Sequence, residues 1–226
     1  LDELHAAGHR FLAVSEERGE VDYGDARVRV VIDPIDGSLN AKRLMPSWSL
    51  SLAVADGPTM GDVAFGFVYD FTTGEEWHAI RGAGARCDGR PLDPSLRERR
   101  GRSGRLELLG VEQADPRHLV GPLPALVEHA ERLRIVGSIA LTLCHVAAAR
   151  LDGMVSLRRC RAVDVAAAQL IVREAGGHVA FPALAGDPLA APLDVAPHSP
   201  VVGARTPATV RALAAASSCR TSSPTA

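Results

Sequence analysis

The sequence predicts an α/β fold of the layered α+β kind, in which helices pack against sheets. In the first half, residues 63–71 alternate apolar and polar side chains with a period of two, and a Thr-Gly turn at 73–74 leads to a partner strand at 76–80. In the second half the apolar spacing becomes helical, as in residues 138–150. Strands followed by helices in one chain are typical of a layered domain.

The first half contains short strand-like segments joined by turns. Residues 2–7 predict the end of a helix, which Gly8 terminates. Residues 18–26 are charged and predict an exposed hairpin or loop, and the segment 81–91, which contains Gly and Pro, predicts a loop. The predicted strands of this half are residues 11–14, 28–32, 47–55, 63–71 and 76–80.

A change of composition divides the chain into two subregions. Residues 93–104 are rich in Pro, Ser and Arg and predict a boundary between subregions of about 1–104 and 105–212, which together form one predicted domain over residues 1–212. Residues 213–226 are Ser/Thr-rich toward their end and predict a disordered tail. The second subregion has helical spacing at residues 122–132, 138–150, 164–175 and 207–215, and a short predicted strand at 201–204.

Composition and charge exclude several classes of protein. The 226 residues are 46% hydrophobic and 23% charged, as in ordinary globular domains, and the formal net charge of −2 predicts no nucleic-acid partner. No apolar stretch approaches the roughly 20 residues that span a bilayer, so we predict no membrane partner. The four cysteines are scattered without a CxxC pair, which argues against a zinc site or a disulfide framework and favours the reducing cytoplasm.

The most informative motif is DPIDGS at residues 33–38, which follows the apolar strand at 28–32. Asp33 and Asp36 leave this strand together, and carboxylates are hard oxygen ligands suited to Mg²⁺. Gly37 allows the backbone to approach a ligand closely, and N–H groups that open a helix after it would bind an anion. Metal and phosphate ligands side by side predict phosphoryl chemistry.

Two further acidic positions complete a candidate metal constellation. Glu16 follows the strand at 11–14, and Asp164 precedes a helix. Each position also has an ordinary structural interpretation: Glu16 as part of a solvated turn, Asp164 as a helix N-cap, and residues 33–37 as a Pro-Asp-Gly turn. Four carboxylates clustered without a cation would be costly through like-charge repulsion, so their combination predicts a metal ion.

Five short segments follow one another along roughly residues 9–212: SEE at 15–17, DPIDGSLN at 33–40, GSIA at 137–140, RAVDVAAA at 161–168 and EAGG at 174–177. In this order they resemble the motifs of the inositol monophosphatase family, a group of Mg²⁺-dependent, lithium-sensitive sugar phosphatases. Val163 stands where most members have Trp. In this respect the second motif resembles the archaeal-type members that also hydrolyse fructose 1,6-bisphosphate.

The resemblance implies a fold, a reaction and a set of roles. The fold would be the αβαβα sandwich of the sugar phosphatases. The reaction would be hydrolysis of a small sugar or polyol phosphate, of the inositol monophosphate or fructose 1,6-bisphosphate type, by metal-activated water. The implied partners are this small phosphate ester and a second copy of the chain in a homodimer. The implied catalytic residues are Glu16, Asp33, Asp36, Ser38 and Asp164. The implied Mg²⁺ ligands are Glu16, Asp33, the Ile35 carbonyl, Asp36 and Asp164. The implied substrate-binding residues are Asp36, Gly37, Ser38, Gly137, Ser138 and Asp164.

The chain departs from the family pattern at two places. Members begin with two helices that carry a T-x-x-D acid, whereas 15 residues precede Glu16 here. We therefore expect either that the sequence is a fragment or that the protein is a relative that binds metal or anion without turnover. Ser156 stands where members tend to have an acid that contacts substrate hydroxyls, and a Ser can hydrogen-bond without carrying charge. Basic residues that predict either a second anion site or a solvated surface are Lys42, Arg43, Arg158, Arg159 and Arg161.

Overall fold

An eight-stranded sheet accounts for most of the first half of the chain. The computed structural model describes residues 1–218. The strands are β1 (Leu12–Ser15), β2 (Gly19–Asp22), β3 (Arg29–Asp36), β4 (Ser49–Ala55), β5 (Val63–Asp70), β6 (Glu76–Ile80), β7 (Gly84–Cys87) and β8 (Arg90–Pro91). Their spatial order is β2-β1-β3-β4-β5-β6-β7-β8. The pair β1 and β3 is parallel, and the other neighbouring pairs are antiparallel.

The pairing of β3 positions three acids. Its parallel register with β1 aligns Ser15 with Ile32, so the next residues, Glu16 and Asp33, leave the two strands side by side. Its antiparallel register with β4 shifts between Asp33 and Asp36, which leaves one extra residue on β3. Because side chains alternate along a strand, this bulge brings Asp33 and Asp36 to the same face of the sheet.

A five-stranded sheet forms the centre of the second half. Its strands are β9 (Leu109–Glu112), β10 (Leu133–Arg134), β11 (Gly153–Ser156), β12 (His178–Ala180) and β13 (Val202–Ala204). The spatial order is β10-β9-β11-β13-β12. Strand β9 is parallel to both of its neighbours, whereas β13 is antiparallel to both of its own. The predicted strand at 201–204 is confirmed as β13.

Seven α-helices accompany the two sheets in residues 1–218. They are α1 (Asp2–Ala6), α2 (Ser38–Lys42), α3 (Pro116–Leu119), α4 (Leu123–His129), α5 (Ile139–Ala147), α6 (Ala162–Glu174) and α7 (Pro207–Ser218), with a 3₁₀ turn at Met60–Asp62. Helix α6 packs on β4 and β5, α5 packs on α6, β11 and β13, and α7 packs on α4 and β13. The order sheet, helices, sheet, helices confirms the predicted layered α/β fold.

Helix α6 is the centre of the core. Its residues 162–172 are all buried, as expected for a helix enclosed by neighbouring layers. Gly66 of β5 permits the close approach of this helix, since a Cβ there would lie 2.6 Å from the carbonyl oxygen of Ala167. Within residues 1–218, no helix has both the length and the apolar character that crossing a bilayer requires.

The segment 81–91 is not the loop that the sequence predicts. It contains β7 and β8, which extend the first sheet by two hairpins. Gly82, Gly84 and Gly89 adopt positive φ angles and form the tight turns, and Ala85 between them is buried. Closely spaced glycines therefore mark the turns of short hairpins here rather than an irregular loop.

The predicted tail also begins too early. Helix α7 continues to Ser218, so residues 213–218 belong to the fold. The physical reason is Leu213, which is fully buried against the second sheet and gives this turn of the helix a place in the core. Residues 219–226, the rest of the predicted tail, lie outside the described residues.

Candidate active site

Three aspartates converge at the ends of β3 and α6. Asp33 and Asp36 lie at the carboxyl end of β3, and Asp164 is the third residue of α6. Each contributes a carboxylate oxygen to a group whose members all lie within 4.8 Å of one another. All three residues are buried, with exposed fractions of 2%, 8% and 6%. Such a cluster, assembled from residues up to 131 positions apart in the sequence, has the composition of a cation site.

Asp164 is not the helix N-cap of its ordinary structural interpretation. Helix α6 begins at Ala162, and Arg161 is its N-cap, with an extended backbone conformation at φ −89° and ψ 162°. Asp164 instead occupies the third helical position, where its Oδ2 accepts a hydrogen bond at 2.9 Å from the Arg161 backbone N–H. This arrangement is the reciprocal half of a capping box, and it leaves Asp164 facing the other two aspartates.

A backbone amide also fixes Asp33. The Ile35 N–H donates to Asp33 Oδ1 at 2.9 Å. The second oxygen of Asp33 accepts no hydrogen bond from residues 1–218, so it is available to a ligand. Backbone donors therefore orient Asp33 and Asp164, and in Asp33 they leave one carboxylate oxygen free for coordination.

Asp36 is fixed by the second half of the chain. Its Oδ2 accepts hydrogen bonds from Ser138 Oγ at 2.6 Å and from the Ala140 N–H at 2.8 Å. Ser138 is also the N-cap of α5, because its Oγ accepts from the Leu141 N–H at 3.1 Å. Substrate binding by Ser138 stays a prediction; in this structure the residue is fully buried, since its hydroxyl serves Asp36 and the helix cap.

The electrostatics of the cluster favour a cation. Burial, with the charges of Glu16 and Asp164 as lesser causes, raises the pKa of Asp33 from 3.8 to about 7. Burial likewise raises the pKa of Asp36 well above its usual range, with the charge of Asp164 as the next cause. Ionised together, these groups repel one another in a poorly solvated place. Their hard oxygen atoms fit a divalent cation such as Mg²⁺, which would offset that repulsion.

Glu16 lies at the rim of the cluster. It follows β1, is exposed, and is not one of the three residues whose oxygens lie within 4.8 Å. Its Oε1 accepts a hydrogen bond at 2.9 Å from the guanidinium Nη1 of Arg161. The same guanidinium binds Asp164 Oδ1 through Nη2 at 3.0 Å. Arg161 thus connects Glu16 to Asp164.

A cavity of about 760 Å³ opens beside the three aspartates. Eight of the nine predicted site residues line it, namely Glu16, Asp33, Ile35, Asp36, Gly37, Ser38, Gly137 and Asp164. Ser38 is exposed to this cavity as the first residue of α2. The size of the cavity suits a small organic ligand rather than a lone ion.

Two glycines shape the cavity wall. Gly37 caps α2 at φ +88°, and Gly137 precedes α5 at φ +90°. A Cβ at Gly37 would lie 2.9 Å from the Ser47 carbonyl oxygen, and one at Gly137 would lie 2.6 Å from Asn40 Nδ2. Both positions therefore require glycine. Asn40 Nδ2 joins the two loops, since it donates to the carbonyls of Ser47 and Val136 at 2.9 Å each.

Comparison with known proteins agrees with this geometry. The sequence model of the inositol monophosphatase family matches residues 1–221. The chain belongs to the inositol monophosphatase family. The resemblance drawn from the sequence motifs is thereby confirmed.

Individual relatives of the family are similar to this chain. An Archaeoglobus fulgidus protein named fructose-1,6-bisphosphatase/inositol-1-monophosphatase is 38% identical over 86 residues, which cover 38% of this chain and 33% of that protein. The matched segment thus spans about a third of the length of the archaeal relatives. Among solved structures, the suppressor protein SuhB of Bartonella henselae superposes with a TM-score of 0.77 at 26% identity, over 96% of this chain and 79% of that one. SaIMPase-II with bound inositol monophosphate gives 0.75 at 25% identity, over 94% and 78%.

Glu112, at the end of β9, is absent from the site residues that the family motifs predict. It is fully buried and accepts hydrogen bonds from the N–H groups of Val136 and Gly137 at 3.0 Å each and from Thr142 Oγ1 at 2.7 Å. It therefore fixes the loop that carries Gly137 along the cavity wall. The sequence feature that could have revealed Glu112 is an acid at the end of the apolar run 109–111, the same pattern that marks the aspartate motif.

Ser156, which replaces the family's acid, does not face the cavity. Its hydroxyl donates to the Arg158 carbonyl at 3.0 Å and accepts from the Val201 N–H at 2.9 Å. The residue is fully buried and joins the end of β11 to the segment before β13. Its hydroxyl is thus committed to the fold rather than to a ligand.

The basic residues of the sequence separate into two groups. Arg158, Arg159 and Arg161 line the cavity beside the aspartates. Lys42 and Arg43 lie outside its lining. Positive charge is therefore placed at the end of β11 and at the start of α6, where an anionic ligand in the cavity would meet it.

Proposed function

We propose that the protein is a Mg²⁺-dependent phosphomonoesterase that hydrolyses a small sugar or polyol phosphate. The observation that carries this proposal is the buried group of Asp33, Asp36 and Asp164 on the wall of a ligand-sized cavity. Family membership and the names of the archaeal relatives support it.

The oxygen atoms at the cavity wall indicate which residues would hold the metal. Asp33, Asp36 and Asp164 offer buried carboxylate oxygens, and Glu16 with the carbonyl of Ile35 would complete the ligands on the cavity rim. When bound, divalent cations supply Lewis acidity to the phosphoryl group and to an attacking water. The aspartates themselves are held in place by the backbone, so little reorganisation accompanies the reaction.

Residues around the metal ligands would bind the ester. The N–H groups of Gly37 and Ser38 open α2 at the cavity wall and would receive the phosphate, and Gly137 would contact the sugar or polyol. Arg158 and Arg159 add two positive charges to the same cavity. These charges favour a substrate with a second anionic group, so fructose 1,6-bisphosphate is the preferred candidate over inositol 1-phosphate.

Phosphate release tests this function. We expect the purified protein to release phosphate from fructose 1,6-bisphosphate or inositol 1-phosphate in a Mg²⁺-dependent, Li⁺-inhibited manner. Asp33→Asn and Asp164→Asn should each lower the rate roughly 100-fold or more, because each removes an ionised metal ligand. Asp56→Asn, an exposed acid paired with Arg81 outside the cavity, is the matched control.

The same assay tests the alternative predicted from the sequence, a relative that binds metal or anion without turnover. Mg²⁺ binding without phosphate release from either ester would favour a relative that binds metal without turnover. The homodimer and the cytoplasmic location also remain predictions, and light scattering of the purified protein would measure the oligomeric state directly.

A further inference from the structure

Arg161 binds two carboxylates that come from distant parts of the chain. Its Nη1 donates to Glu16 Oε1 at 2.9 Å, and its Nη2 donates to Asp164 Oδ1 at 3.0 Å. Its Nε lies 3.4 Å from Asp164 Oδ2. The guanidinium thus occupies the space between β1 and α6, on the wall of the cavity that holds Asp33 and Asp36.

We propose that Arg161 is an internal cation that competes with divalent metal for Glu16 and Asp164, and so weakens and regulates metal binding at this site. The inference rests on the metal site of the proposed function. It assigns to Arg161 a role that differs from substrate recognition: the residue sets how much free metal the protein needs.

The competition follows from the geometry of the oxygens. Mg²⁺ requires oxygen ligands at about 2.0–2.1 Å in near-octahedral directions. A guanidinium N–H that already occupies Glu16 Oε1 and Asp164 Oδ1 uses the same lone pairs. A cation that takes these two oxygens as ligands must therefore displace at least one arm of Arg161. The free energy of the broken ion pair is subtracted from the free energy of metal binding.

The backbone keeps Asp164 in place when the side chain of residue 161 is changed. The Arg161 backbone N–H donates to Asp164 Oδ2 at 2.9 Å, and any residue except proline supplies that donor. Asp164 is also buried within the first turn of α6. Arg161→Gln should thus leave the carboxylate oriented as before while freeing its Oδ1.

Arg158 provides a matched control. It lines the same cavity, and within residues 1–218 no salt bridge joins its side chain to an acid. Arg158→Gln removes one positive charge from the cavity without opening an ion pair at the metal ligands. The difference between the two variants therefore separates direct competition from the general effect of charge on cation binding.

The test is a calorimetric titration of the full chain with Mg²⁺ alone, without substrate. We expect Arg161→Gln to bind Mg²⁺ roughly 3- to 5-fold more tightly than the wild type, the upper range for a partly exposed ion pair, and Arg158→Gln to stay within about 2-fold. Arg161→Lys, which keeps the charge but loses the planar fork, should fall between them.

A thermal melt supplies the second measurement. In EDTA, Arg161→Gln should melt below the wild type, because Glu16 and Asp164 lose their counter-charge. On addition of saturating Mg²⁺ its melting temperature should rise by more than that of the wild type. An unchanged or weaker Mg²⁺ affinity of Arg161→Gln, or an equal gain in Arg158→Gln, overturns the inference.

These outcomes are distinguishable from failure of the proposed function. If the wild type binds Mg²⁺ and Arg161→Gln binds it no better, the inference on Arg161 fails while the metal site stands. If neither protein binds Mg²⁺, the metal site and the inference fail together.

Discussion

Asp33 is a single residue whose protonation connects the site to the stability of the fold. Burial raises its pKa from 3.8 to about 7, so the folded chain binds this proton more tightly than the unfolded chain does. Between pH 4 and pH 7, roughly, the native state therefore holds more protons than the unfolded state, and the free energy of unfolding falls as the pH rises. Below this window both states are protonated, and above it both are ionised.

We expect the urea midpoint of the protein in EDTA to decrease from pH 5 to pH 8. Asp33→Asn should make this decrease smaller, because the amide carries no proton to release; the raised pKa of Asp36 acts in the same direction and leaves a residual slope. Wild-type protein in saturating Mg²⁺ is the control, since the cation offsets the ionised carboxylates. A midpoint that rises with pH in EDTA would contradict the assignment.

The aspartates of the site could be predicted from the sequence, whereas their supports could not. Asp33 and Asp36 belong to a recognisable motif, and Asp164 to a second. The roles of Ser138 and Arg161 depend on partners 102 and 145 residues away in the sequence. No local pattern shows that a Ser at a helix start is buried by its hydrogen bond to an aspartate, or that an Arg at another helix start reaches an acid after β1.

At the scale of elements, the turn into α2 is tightly constrained by sterics. Gly37 combines φ +88° with a space in which a Cβ would lie 2.9 Å from the Ser47 carbonyl oxygen and 3.1 Å from the Gly137 carbonyl oxygen. Both neighbours are backbone atoms, which cannot rotate away. Any side chain there must displace the loop that presents the N–H groups of Gly37 and Ser38 to the cavity.

Gly37→Ala should therefore lower the free energy of unfolding by about 1–3 kcal/mol and reduce phosphate release at least tenfold. Gly89→Ala is the matched control, because Gly89 has φ +72° but no atom of the described part of the chain lies within 4 Å of an added Cβ. It should cost about 1 kcal/mol or less and leave the rate unchanged. Equal losses of activity in both variants would show that close approach at Gly37 is unimportant.

Elements with a clear period could be predicted, whereas two short buried strands, β9 and β11, could not. The hairpin of β5 and β6 follows from alternation along residues 63–71 and the turn at 73–74. Strands β9 and β11 are buried along their whole length, so they lack the alternation of a half-exposed strand. Their partners in the sheet, rather than their own sequences, decide that they are strands.

At the scale of the whole molecule, one buried arginine connects the segment between the two sheets to the central helices. Arg205 follows β13 and is 1% exposed. It donates to the carbonyls of Ala147 at 2.8 Å and Ala175 at 2.7 Å, at the ends of α5 and α6, and to those of Leu96 at 3.1 Å and Asp93 at 3.2 Å. It thus binds the segment between the sheets to both central helices, at the level where the layers meet.

This connection predicts that the chain unfolds as one unit, as a single domain over residues 1–212 would. Trp48 and Trp77 report on the first half and far-UV circular dichroism reports mainly on the helices, so the two urea curves of the wild type should coincide.

Arg205→Ala leaves four carbonyls without their donor and should lower the free energy of unfolding by about 3 kcal/mol. Arg97→Ala, in the same segment but exposed and bonded among residues 1–218 only to nearby carbonyls, should cost about 0.5 kcal/mol or less. Separate transitions in the wild type, or equal losses in the two variants, would show that the layers fold independently of Arg205.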